Sequence, residues 1–374
     1  GSCIAQIAMA GSLVGKPGEM VREGGMMTPH LAEPHVHLDA TQLGSRTPNL
    51  SGTLHEGIAN WAAVRDTLTA EDIQQRAKKT IGWYRSWGCT RIRTHVDTGN
   101  LGAVEALIDL REQLKAEVEI QVVAFPQEGL LKGPGQTEQW RAAVKLGCDA
   151  VGAIPHFEND LDTGWQTVQM AFDLAEEFDR DLDFHCDETD DPNIRNLEEV
   201  CRQAKARGNG VRVIAGHCTA LHSYPDDVAA RVISDVVEAQ IQVVTNPLDN
   251  IVLQGRNDGY PKRRGITRVD ELWAAGATVG IGHDSVVDPW YRLGTANLVD
   301  AAHMLVHAGH LTSDAHMRQV FRTLHDDNHR CFGGVKPLQE GAQADVLFWP
   351  VEDPIEVIRV RPRPEVFIKG VQVD

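Results

Sequence analysis

From about residue 30 to about residue 310 the chain repeats one pattern: a short apolar, β-branched run, a polar turn, then roughly ten to fifteen residues with apolar positions at helical offsets. The short runs predict strands at Leu31–Leu38, Cys89–Val96, Glu119–Phe125, Ala150–Phe157, Leu182–His185, Val211–His217, Gln242–Asn246 and Ala277–His283. Between them, Val104–Lys115 places Leu107, Ile108, Leu110 and Leu114 at helical spacing. Thr163 and Asp191 stand where helix N-caps are wanted, the latter followed by Pro192 at the first helical position. Strands alternating with helices imply a parallel sheet, and eight is the number that closes a TIM-type (β/α)8 barrel. A doubly wound open sheet is the competing α/β fold, but it would carry a glycine-rich phosphate turn after its first strand, and none is present.

Beyond about residue 330 the pattern changes to short alternating runs, Ala344–Trp349 and Val366–Ile368, broken by Pro337, Pro350, Pro354, Pro362 and Pro364. The expected division is a barrel over 30–330 and a small β-rich subdomain built from 1–29 and 331–374. Gly1-Ser2 at the start is set aside from fold reasoning.

Composition narrows the partners. At 374 residues with 42% apolar content the chain can bury a large core, and its formal charge of -17 argues against nucleic acid or an anionic membrane as partner, since non-specific binding to either needs a cationic face. A small neutral or cationic molecule fits better. The one basic cluster, Lys262, Arg263, Arg264 and Arg268, reads as a structural loop or subunit contact. Seven cysteines without a C-x-x-C pair suit reduced thiols in a cytoplasmic enzyme. No run approaches the length of a membrane span, and no secretory signal opens the chain. The strand-rich ends hint at a homo-oligomer.

Candidate chemistry sits at the strand ends. His35 and His37 close the first strand, where alternate residues share a side and two imidazoles can face one ion. Sixteen histidines in 374 residues produce one such pair by chance at a rate of roughly 0.7 per chain, so the pair alone decides nothing. Its position matters more. Strand five ends in His185-Cys186-Asp187-Glu188, strand six in His217 and strand eight in His283-Asp284. In a closed barrel all these ends meet at one mouth. Singly, each histidine reads as a core residue and Asp284 as a helix cap; together they predict a metal-dependent hydrolase.

Several phrases then resemble the amidohydrolase superfamily and, within it, the cytosine deaminase family: Glu33-Pro34-His35-Val36-His37-Leu38-Asp39, Arg93-Thr94-His95-Val96-Asp97, Val123-Ala124-Phe125-Pro126-Gln127-Glu128-Gly129, His185-Cys186-Asp187-Glu188, Leu253-Gln254-Gly255 and Asp288-Pro289-Trp290-Tyr291. The resemblance runs from about residue 30 to 310. It implies one divalent ion per subunit, Fe2+ or Zn2+, on His35, His37, His185 and Asp284, with His217 beside the ion's water. The lysine that bridges two metals in binuclear relatives has no counterpart, since Gln127 ends strand three and Pro155-His156-Phe157 ends strand four. In the implied mechanism Asp284 takes the water's proton, His217 orients the hydroxide, and Glu188 protonates the ring nitrogen and then the departing amine. Gln127 would read the base's carbonyl and ring N–H, the Leu54 carbonyl a second N–H, and Trp290 and Phe125 would wall the pocket.

One position departs from the family pattern. Its cytosine enzymes carry two consecutive aspartates after strand eight, and here the pair is Asp284-Ser285. The shorter side chain leaves room for about one methyl group at the pyrimidine's C5 edge. The expected reaction is hydrolytic deamination of cytosine or 5-methylcytosine. Rivals are a deaminase of another cyclic amidine (isoguanine, creatinine), an N-alkyl triazine aminohydrolase, and a non-catalytic barrel that only binds. The zinc signature of cytidine deaminases, H-x-E with P-C-x-x-C, is absent.

Overall fold

The computed structural model describes residues 2–7, 22–208 and 210–373. All eight predicted runs become strands of one parallel sheet. After a first short strand, β1 (Met26–Pro29), the barrel strands are β2 (Leu31–Val36), β3 (Cys89–Asp97), β4 (Glu119–Phe125), β5 (Ala150–Ala153), β6 (Asp181–Cys186), β7 (Val213–His217), β8 (Gln242–Thr245) and β9 (Val279–Ile281). They pair in sequence order, each parallel to the next, with helices covering the outside: a (β/α)8 TIM barrel. The core lies between sheet and helices, where Leu107 and Leu110 of the helix Leu101–Leu114 are buried as their spacing predicts.

Closure between the first and last barrel strands is made differently from the other joins. There the ladder shrinks to one parallel bridge, Val36 with Asp284, with Asp284 N donating to His35 O at 2.9 Å. Buried side chains supply the remaining bonds. Asn328 accepts from Ile281 N at 2.8 Å and donates through Nδ2 to Ala32 O at 2.7 Å and Ile281 O at 2.8 Å. Higher in the seam, Glu33 accepts from His35 N at 2.9 Å and, with both oxygens, from His283 N at 3.1 Å.

A second, antiparallel sheet joins the two ends of the chain, in the order β1, β10 (Val346–Trp349), β11 (Glu365–Ile368) and β12 (Val371–Val373). Residues 8–21 of the expected N-terminal segment lie outside the described residues. The prolines that break the tail also start a helix, Pro354–Val360, with Pro354 in its first turn and Asp353 accepting from Ile355 N at 2.9 Å.

Boundaries and caps differ in places. The first strand stops at Val36, so His37 lies just beyond it, and the fourth stops at Ala153 because Pro155–Phe157 turns into a short 3-10 helix. Thr163 is not the N-cap of its helix; Asp160 is, and Thr163 completes a capping box with it. Nor does Asp191 cap. The helix Asn196–Arg207 starts five residues later, and its first backbone N–H groups are met by Asp187, which accepts from Asn196 N at 3.2 Å and Leu197 N at 2.9 Å. The basic cluster ties loops together: Arg263 binds Asp258 and the Asp190 carbonyl, and Arg268 binds Asp226 and the Tyr224 carbonyl. Among the described residues no helix is long and apolar enough to cross a membrane.

Replacing Asn328 by Ala strands buried backbone groups on both sides of the seam. We expect Asn328→Ala to cost about 2 to 4 kcal/mol. A denaturant midpoint unchanged from the parent would contradict this account of closure.

Candidate metal and catalytic centre

Strand ends that are distant in sequence put their side chains into one cluster at the barrel mouth. His35 contributes from β2, His37 from just past it, His185 from β6 and Asp284 from the turn after β9. His37 Nε2 lies 3.2 Å from His185 Nε2 and 3.5 Å from Asp284 Oδ1, and His35 Nε2 lies 3.6 Å from the same oxygen. Ligands about 2.1 Å from one ion stand roughly 3 to 3.5 Å apart, so these separations suit a shared divalent cation. The polar inventory agrees. Both ring nitrogens of His35 and Nδ1 of His185 are buried without a hydrogen-bond partner. Burial, reinforced by neighbouring imidazoles, holds His35, His185 and His217 well below the usual histidine value and His37 at about 3. Neutral rings with free lone pairs are what a metal requires.

The same barrel mouth contains groups that the sequence reading did not place there. His95 of β3 stands 4.1 Å, centroid to centroid, from His35, and among the described residues the groups whose ligand atoms all lie within 4.8 Å of one another are His35–His95–His185 and His35–His217–Asp284, neither of which contains His37. The His95 ring points toward a buried base layer in which Asp183 lies 3.2 Å from His95 Nε2 and takes Arg93 Nη1 at 2.9 Å. The strand-end pattern that located His35 and His185 applies equally to His95, which lies in β3. Asp249, at the start of the helix Pro247–Leu253, is the other omission; an acid between Leu248 and Asn250 directly after a barrel strand is its signal.

Backbone conformation aims several of these residues. His217 and Asp284 have φ of 65° and 66°, and Asp187 has 49°, in the left-handed region that non-glycine residues seldom occupy. The turn at Asp187 lets Glu188 enter the cavity that His185 lines, where Glu188 Oε1 lies 3.5 Å from His217 Nδ1. Asn250 Nδ2, 3.0 Å from His217 Nδ1, holds that ring in turn. Burial alone raises Glu188 to about 8, and it therefore keeps its proton near neutrality. Asp284 is pushed up as well, by burial first and then by the nearby carboxyls of Asp249 and Glu188.

The cavity above the cluster is lined also by Leu54, Gln127, Leu253, Ser285 and Trp290. Ser285 Oγ donates to Asp249 Oδ2 at 2.5 Å. Gly57 lets Trp290 in, because a Cβ there would overlap the indole. Phe125 is not on the cavity wall. Its ring stacks on His185 at 4.0 Å and braces that imidazole from behind.

Comparison with known proteins gives the lineage. The sequence profile of the amidohydrolase family matches residues 66–373. This chain belongs to the amidohydrolase family. Among solved structures, this amidohydrolase is 36% identical to 5-methylcytosine deaminase from Klebsiella pneumoniae liganded with phosphonocytosine, covering 100% of this chain and 93% of that one, with a TM-score of 0.96. N-isopropylammelide isopropylaminohydrolase from Burkholderia multivorans is 27% identical over 100% of this chain and 93% of its own, with a TM-score of 0.84. A pterin deaminase of Rhizobium rhizogenes is 28% identical over 82% of this chain and 71% of its own. The family places this amidohydrolase among hydrolases of C–N bonds, a family that generally uses a divalent metal.

Elemental analysis of the purified amidohydrolase is expected to find one divalent ion per chain, and His185→Ala to lower that content at least tenfold with the circular dichroism spectrum retained. Full metal content in His185→Ala would remove this residue from the ligand set.

Proposed function

We propose that this amidohydrolase deaminates a free pyrimidine base, converting cytosine or 5-methylcytosine and water to uracil or thymine and ammonia. The observation that carries the reading is Glu188, a buried acid held protonated to about pH 8, in the same small cavity as the imidazole and carboxylate cluster. Hydrolysis of a ring amidine needs that pairing, an activated water below the ring carbon and a proton source beside the ring nitrogen. The similarity to a 5-methylcytosine deaminase supports the same substrate class.

The ligand set in this reading is His35, His37, His185 and Asp284, and both iron and zinc suit three imidazoles with a carboxylate. A divalent ion there would bring the pKa of a bound water toward neutrality. Asp284 receives the proton of the attacking water, and His217, steadied by Asn250, orients the oxygen. Glu188 gives its proton to the ring nitrogen next to the reacting carbon. Once the carbon is tetrahedral, a second proton passes to the exocyclic nitrogen, the C–N bond breaks and ammonia departs. Gln127, buried at the end of β4, offers its amide to the base's carbonyl and ring N–H, with the Leu54 carbonyl taking a second N–H. Trp290 closes one face of the ring.

Ser285 sets the size of the wall beside Asp284. Anchored on Asp249, its short side chain leaves space for a small C5 substituent, and a methyl group there is worth roughly 1 to 3 kcal/mol in discrimination. Steady-state assays are expected to show 5-methylcytosine turned over at least as well as cytosine, with Ser285→Asp shifting preference back toward cytosine. A strong preference of the parent for unsubstituted cytosine would sink this assignment. N-alkyl triazines and other cyclic amidines, the chemistry of some relatives, belong in the same screen.

Glu188 sets the pH dependence. Its pKa is raised from 4.5 to about 8, so the protonated form is present below that value and lost above it; kcat/KM should fall as pH rises through about 8. Glu188→Gln should lower kcat by about 10² to 10⁴. Unchanged turnover in that variant would refute the mechanism.

A further inference from the structure

The deamination described above leaves one wall of the cavity unused. Asp249 lines the cavity and is 1% exposed. Its Oδ2 accepts from Ser285 Oγ at 2.5 Å, while its Oδ1 is buried with no hydrogen-bond partner. The groups around it are acidic: burial and then the carboxyls of Asp288 and Glu188 push Asp249 up, Asp249 does the same to Asp284, and among the described residues no lysine or arginine lines the cavity. A buried, half-satisfied carboxyl in a binding cavity costs stability unless a ligand completes it.

The orientation of the base says which ring atom meets this wall. This step rests on the cytosine reading of the same site. With the reacting carbon over the ligand cluster, N3 faces Glu188, and C2 and N1 face Gln127 and Leu54. In that pose the remaining edge, C5, would face Ser285 and Asp249, which line the same cavity.

We infer that Asp249 is a specificity residue that receives a hydroxyl carried on the C5 substituent, so that this pocket favours 5-hydroxymethylcytosine over 5-methylcytosine. A hydroxyl donates to a carboxylate and accepts from a carboxylic acid, so the match holds in either state of Asp249. A methyl group in the same place covers Oδ1 and leaves it unsatisfied. The reaction is the hydrolysis already described: 5-hydroxymethylcytosine and water give 5-hydroxymethyluracil and ammonia, with the hydroxymethyl group unchanged.

The test is kcat/KM of the metal-loaded enzyme on cytosine, 5-methylcytosine and 5-hydroxymethylcytosine, with inhibition by thymine and 5-hydroxymethyluracil measured alongside. The parent should favour the hydroxymethyl base over the methyl base by about tenfold or more. Asp249→Val, which removes the polar oxygens at similar size, should invert that ratio, and the two uracils should change places as inhibitors. Asp249→Asn, which keeps a donor and an acceptor, should retain the parent's order and provides the comparison if the valine variant does not fold. A parent that favours the methyl base, or a hydroxymethyl-to-methyl ratio left unchanged by Asp249→Val, overturns the role of Asp249 while the deaminase reading stands. Absence of turnover on all three bases overturns both.

Discussion

The backbone hydrogen bond from Asp284 N to His35 O joins residues almost 250 positions apart, and it is where fold and chemistry become one problem. The sheet cannot be a barrel unless β9 returns to β2, and the cluster cannot form unless the residues after those strands lie side by side. Because the ladder there is a single bridge, the join relies on Asn328 below and Glu33 above. Seven of the eight joins follow from ordinary strand pairing. The eighth depends on two polar side chains that occupy space between the strands and satisfy backbone groups on both.

Desolvation then determines the electrical character of the mouth. Imidazoles withdrawn from water lose their protons and keep lone pairs; carboxyls withdrawn from water hold theirs. The same burial therefore prepares ligands from histidine and an acid from Glu188, with no special partner for either. Local charge adjusts the balance. Asp249 and Glu188 discourage ionisation of Asp284, and Glu188 that of Asp249, whereas Asp183 deeper in the barrel is matched by Arg93. A cation placed among the imidazoles would act on an array already arranged to receive positive charge.

The barrel was legible because its signal is periodic: eight β-branched runs separated by amphipathic stretches admit few other architectures, and all eight runs became strands. Strand ends were less legible, since Pro155 and the short β9 shift them by a few residues without disturbing the alternation. His35, His37, His185, Glu188, His217 and Asp284 could be selected because a barrel sends every strand's carboxyl end to one place, and the structure brings them together. Phe125, expected on the pocket wall, is buried with its ring stacked on His185, a contact that strand position alone does not specify. Contacts that depend on side-chain direction left no trace in the pattern. Asn328 and the capping role of Asp187 both act through a hydrogen bond to a residue remote in sequence or across a loop.

The left-handed backbone at His217 and Asp284 limits how this site can drift. At such φ values asparagine, aspartate, histidine and glycine are tolerated, while β-branched residues are strongly disfavoured. The substitutions open to these positions are therefore those that leave the chain path intact while removing a lone pair or a charge. Loss of chemistry and loss of architecture are thereby separated, and descendants of this fold can become silent catalytically long before they cease to be barrels.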